Sequence, residues 1–225
     1  MKEVFIRLSA RSIKIKEITI LLSLKQNEIE ARLKEFSETW QHSEDDDIFA
    51  EFVFCLLTPQ SKAKICWNAV KNLKDSGLLL DGNQEEIIEK LKGVRFKNKK
   101  AQYILQARKI FSNNGRTAIK SKLSQFSNTS ETRNWLVHNI KGMGCKEASH
   151  FLRNIGFGKD MAILDRHILR NLKMFGIIET IPTSLSKNRY LEIEQKFKEF
   201  ARRINIPLDS LDLILWCKET GEIFK

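Results

Sequence analysis

Long apolar runs are missing from this chain. The densest, ITILLSL from Ile18, is much shorter than a membrane-spanning helix and is flanked by lysines, so no membrane span is expected. No small-residue cleavage site follows it, which argues against a secretory signal peptide and for an intracellular protein of the cytoplasm or nucleoid. Cysteine is scarce: Cys55, Cys66, Cys145 and Cys217 stand far apart, with no C-x-x-C spacing. That pattern supports neither a zinc site nor a cysteine-ligated iron–sulfur cluster, and buried free thiols are expected. Prolines number three and glycines ten, and neither an internal repeat nor a low-complexity tract appears.

What is present is an ordinary soluble composition with an excess of positive charge. The 225 residues suffice for one large domain or one unit of two lobes. Basic side chains number 39 against 28 acidic ones, a formal net charge of +11. Such an excess suits a polyanion, nucleic acid being the commonest, although a solvated basic surface would show the same number.

Apolar positions recur with helical period. Ile29, Leu33, Phe36 and Trp40 form one stripe; Ala148, Phe151, Leu152 and Ile155 form another; Leu191, Phe197, Phe200 and Ile204 a third. Helices are predicted at roughly 26–40, 46–57, 60–74, 84–92, 98–113, 130–139, 145–156, 166–175, 187–204 and 208–219. The first twenty residues partly alternate and are read as a short strand or an extended arm. The fold class is all-α. SEDDD, from Ser43 to Asp47, could suggest a metal site, but it directly precedes an apolar run, and acidic residues in a first helical turn complement its dipole.

The most informative stretch is KGMGCKEASHFL. Two glycines one residue apart enter an amphipathic helix, and Gly142 and Gly144 can let successive backbone N–H groups face a phosphate oxygen. With the preceding ETRNWLVHNI this makes a helix–hairpin–helix, a sequence-independent grip on a DNA backbone. Tight turns of purely structural purpose also use G-x-G. Lys146 then falls where the helix dipole disfavours an ammonium, and a neutral lysine amine is a nucleophile that forms Schiff bases at sugar carbons. Asp165, nineteen positions on, precedes RHILRNLKMF. It reads as an N-cap, and its carboxylate could also steady positive charge on a sugar or accept a proton.

These segments, with KEASHFLRNIG and AILDRHIL, resemble the helix–hairpin–helix DNA glycosylase superfamily. Among its bifunctional members they are most similar to the second-type archaeal and bacterial 8-oxoguanine DNA glycosylase/AP lyases. The resemblance runs from about Asp45 to the last residue. It implies two helical subdomains with an inter-lobe active-site cleft, roughly 45–140 forming a central lobe and 1–44 plus 141–225 the second. It implies Lys146 and Asp165 as catalytic residues, and excision of the oxidised base through a lysine Schiff base followed by β-elimination. Gln60, in LLTPQSKAK, would fill the gap left by the extruded base, or would simply be a polar helix start after Pro59. Phe96 would wedge between base pairs while Arg95, Lys97, Lys99 and Lys100 meet phosphates; otherwise Phe96 tucks into the core. His167 would approach the flipped nucleotide's phosphate. Asp212, Trp216 and the terminal Lys225 would shape the base pocket, where a core tryptophan and an exposed tail are the plain alternatives.

The partner so implied is duplex DNA containing 8-oxoguanine, bound by a monomer. No metal or redox cofactor is required, and because related hairpins often hold a monovalent cation on backbone carbonyls, one is allowed here. Two other functions stay open: a glycosylase/lyase for oxidised pyrimidines, and a non-catalytic helix–hairpin–helix DNA-binding module.

Overall fold

No glycine or proline occurs before Pro59, so nothing in the covalent chain interrupts an N-terminal helix. The computed structural model describes residues 2–225, with side chains from Ser12 onward. In it α1 runs unbroken over Lys2–His42. The strand or extended arm expected within the first twenty residues is therefore corrected to helix over the described positions. Alternation in IKIKEITI is local, whereas the buried positions Ile18, Ile29 and Phe36 lie eleven and seven residues apart, which is helical spacing. Ile13 and Ile20, which the alternation would bury, are 58% and 62% exposed.

After α1 come α2 (Asp45–Leu57), α3 (Ala63–Asp75), α4 (Gln84–Lys90) and α5 (Lys97–Phe111), then β1 (Ser112–Asn113) and β2 (Arg116–Thr117). Next are α6 (Ile119–Leu123), α7 (Thr129–Asn139), α8 (Cys145–Asn154), α9 (Arg166–Met174), α10 (Lys187–Arg203) and α11 (Leu208–Thr220). The fold is all-α apart from the two-residue antiparallel ribbon β1–β2. That ribbon ends α5 before residue 113, because Asn114 and Gly115 take φ of +50° and +77°, the left-handed pair that a tight hairpin requires. Among the described residues no helix is long and apolar enough to cross a membrane.

Contacts divide the chain into two units, Ser37–Gly158 and the chain up to Phe36 together with Lys159–Lys225. The division falls after Gly158, where the sequence reading draws it after residue 140, because α8 packs on α7 and α2. α2 is the axis of the first unit. From Ile48 to Leu57 it is buried around its whole circumference, Glu51 being the one charged residue there, and it contacts α3, α5, α6 and α8. Phe49, Phe52, Phe111 and Phe151 interlock in its core, with centroid separations of 5.8 Å for Phe49–Phe52, 5.1 Å for Phe52–Phe111 and 5.4 Å for Phe52–Phe151. Each such buried side chain contributes about 1.5–3 kcal/mol. The aspartates of SEDDD occupy the first turn of α2, where Asp45 accepts the Lys120 N–H at 2.7 Å and Asp47 pairs with Lys74. In the second unit α11 packs against α9 and α10, and Phe175 meets Phe200 at 5.2 Å.

Candidate active site

The hairpin lies between the end of α7 and the start of α8, both in the Ser37–Gly158 unit. Gly142 has φ +83°, and a Cβ there would lie 2.4 and 2.6 Å from the ring carbons Cδ2 and Cε2 of Tyr103. Only glycine satisfies both demands. Gly144 differs: at φ −93° and ψ −177° it is extended backbone, and its N–H donates to Glu147 Oε2 at 3.1 Å. Glu147 is thus the acidic first-turn residue that the dipole of α8 favours.

That carboxylate also offsets the neighbouring lysine. Lys146 Nζ lies 3.3 Å from Glu147 Oε1 and donates to Thr58 Oγ1 at 3.0 Å, with its side chain only 21% exposed. Thr58 is buried, and its own hydroxyl hydrogen goes to the Cys55 carbonyl at 2.8 Å. Its lone pairs therefore face the amine. Sequence reasoning missed Thr58. The available signal was its place directly before Pro59, where φ −67° and ψ −28° put it in the helical region that a residue before proline avoids. The hydroxyl bond to Cys55 holds it there.

Two turns beside this lysine carry side chains outward. Gln60 (φ +56°) and Phe96 (φ +59°) are left-handed non-glycine residues, each costing about 1–3 kcal/mol. Gln60 is exposed and is not a helix start, since α3 begins at Ala63. Phe96 is 54% exposed, not tucked into the core, and Arg95 Cζ sits 5.6 Å from its ring centroid. Arg95, Lys97 and Lys99 are exposed as well. Lys100 is not. Expected among the phosphate-facing cations, it is 4% exposed and donates to the carbonyls of Leu57 at 2.7 Å and Pro59 at 2.8 Å and to Ser61 Oγ at 3.1 Å. Its position in the first turn of α5 points the side chain inward, toward the end of α2. Burial pushes the Lys100 ammonium below the usual lysine range, and pushes the nearby Cys66 thiol up to about 11. Cys55, Cys66 and Cys217 are buried, and Cys145 is half-buried.

The other unit holds the remaining candidates. Asp165 is the N-cap of α9, its Oδ1 accepting the Ile168 N–H at 2.8 Å, so the capping bond uses one carboxylate oxygen. The segment leading into it is clamped from α10: Tyr190 Oη donates to the Ala162 carbonyl at 2.6 Å, and Glu194 Oε1 accepts the Ala162 N–H at 2.9 Å. His167 Nδ1 lies 3.7 Å from Glu219 Oε2, and Glu219 also accepts from Asn171 Nδ2 at 3.1 Å. On α11 Asp212 is buried and Trp216 half-buried, the latter stacked on Phe224 with centroids 6.5 Å apart. Lys225 is half-buried.

The family model described as 8-oxoguanine DNA glycosylase matches residues 29–206. A protein of Fusobacterium nucleatum named 8-oxoguanine DNA glycosylase/AP lyase is 46% identical over 209 residues, covering 93% of this chain and 96% of its own length. A Korarchaeum cryptofilum protein of the same name is 43% identical over 88% of this chain and 90% of its own length. The crystal structure of the Methanocaldococcus jannaschii 8-oxoguanine glycosylase/lyase, in complex with 15mer DNA containing 8-oxoguanine, superposes with a TM-score of 0.85. It is 38% identical, covering 95% of this chain and all of that one. On sequence and architecture together, this chain is a member of the 8-oxoguanine DNA glycosylase family.

Proposed function

We propose that the protein excises 8-oxoguanine from duplex DNA and then nicks the strand at the resulting abasic site, acting as a monomer. The observation that carries this reading is the Lys146 amine, on a side chain only 21% exposed at the hairpin exit and held by the Thr58 hydroxyl. A lysine serving only solubility or phosphate contact has no need of such a seat.

In this reading Lys146, as the neutral amine, attacks C1′ of an extruded deoxynucleotide. The glycosidic bond breaks, its electron pair leaves with the base, and the base takes up a proton. Asp165 steadies the positive charge developing on the sugar through the oxygen that capping does not use. Loss of the amine proton and ring opening give the Schiff base. Removal of a C2′ proton then expels the 3′-phosphate by β-elimination, and water releases Lys146. The sum closes without metal or redox cofactor. A monovalent cation on the hairpin's backbone carbonyls would serve the grip on DNA alone. Gln60 and Phe96 would fill the space behind the extruded nucleotide, whose unstacking costs a few kcal/mol. Arg95, Lys97, Lys99, His167 and the backbone amides of the Gly142–Gly144 hairpin, apart from the Gly144 N–H that Glu147 takes, would meet phosphates, and Asp212, Trp216 and Lys225 would receive the base.

A panel of duplexes tests it, scoring base release and strand cleavage separately under single turnover. Release and nicking are expected with 8-oxoguanine opposite cytosine, and neither with undamaged DNA. Binding without release of any base would leave a DNA-binding module and overturn the proposal. Release confined to oxidised pyrimidines would overturn the substrate.

A further inference from the structure

A buried ammonium is costly unless its hydrogens are satisfied, and a leucine or methionine would fill the same volume without that cost. Lys100 meets the condition fully: its three donors go to Leu57 O, Pro59 O and Ser61 Oγ. Leu57 is the last residue of α2, so the charge also sits at the negative end of that helix. The acceptors span the turn that carries Gln60 in its left-handed conformation and lead into Thr58, which seats Lys146. The backbone N–H of Lys100 donates to Phe96 O at 3.0 Å, the first hydrogen bond of α5, which starts directly after the left-handed Phe96. Ser61 Oγ takes the Arg95 N–H at 3.0 Å as well as Lys100, joining the two turns directly.

We propose that Lys100 is a positioning residue whose ammonium fastens the Gln60 turn, the Phe96 turn and the Thr58 seat of Lys146 into one preassembled frame, so that extrusion and attack depend on a group that never meets DNA. The inference rests on the function proposed above. The direction of its proton affinity agrees with the geometry: burial lowers it, Lys146 and Arg95 add to the lowering, and Cys66 and Glu147 oppose it.

The test compares the wild-type chain with Lys100→Met and Ser61→Ala by amide hydrogen exchange and by single-turnover assay on 8-oxoguanine duplex. Lys100→Met is expected to exchange faster at the Ser61 and Arg95 amides and to release base at least about tenfold more slowly, with duplex affinity within about threefold of wild type. Ser61→Ala removes the acceptor of the Arg95 amide itself, so exchange there should rise at least as much while base release slows by a smaller factor; should Lys100→Met not fold, Lys100→Gln read at the Ser61 amide decides the matter. Unchanged exchange at those amides in the folded variants would overturn the proposal, whether or not activity fell. Wild-type protein that releases no base would instead count against the proposed function, while the exchange comparison would still judge the frame.

Discussion

Asp165 spends one carboxylate oxygen on the Ile168 amide, and this separates its structural part from its chemical one. Asparagine caps helices as well as aspartate does. Asp165→Asn should therefore leave thermal stability and duplex affinity nearly unchanged while slowing base release by about 100-fold or more. Equal losses in binding and release would reduce Asp165 to a cap. Cys66 offers a residue-scale test of the packing beneath Lys146. Its thiol titrates near 11 in the folded protein against an ordinary value of 9.0, because burial disfavours the thiolate. The folded-state value is raised, so the stabilisation is complete below pH 9 and is lost as pH rises toward 11. Urea midpoints measured across that interval should fall more steeply for wild type than for Cys66→Ala, by roughly 2 kcal/mol over the window. Parallel curves would mean that the thiol is wetter than its surroundings imply.

At the scale of the element, the two hairpin glycines make unlike demands. Gly142→Ala meets both a left-handed backbone and the Tyr103 ring, and should cost about 1–3 kcal/mol while weakening duplex binding. Gly144→Ala keeps ordinary extended backbone and should cost much less. Matching denaturation curves for the two variants would contradict this description of the turn. The hairpin was legible in the sequence because its two glycines and the apolar stripe of α8 follow directly on one another along the chain. The second half of α1, over 26–40, was legible too, but its first half was not, since local alternation mimics a strand and the absence of any breaker up to Pro59 carries the opposite message more quietly. Asn114-Gly115 could have announced the β1–β2 ribbon, but apolar periodicity carried the helix reading to residue 113, over β1. Lys100 could not be told from Lys97 and Lys99 along the chain. Only the end of α2, forty-three residues earlier, turns one of these cations into a buried donor.

At the scale of the whole molecule, charge and descent agree. A formal charge of +11 suits a partner lined with phosphates, and membership of the 8-oxoguanine DNA glycosylase family places this chain among proteins named for base excision. The central claim is that the amine of Lys146 becomes covalently joined to the damaged strand. Borohydride added during incubation with 8-oxoguanine duplex would reduce any Schiff base to a stable amine, and peptide mass spectrometry would locate it. The account expects one adduct, on the peptide carrying Lys146, and none from Lys146→Gln. An adduct of undiminished yield in Lys146→Gln, or one mapped to another lysine, would contradict it.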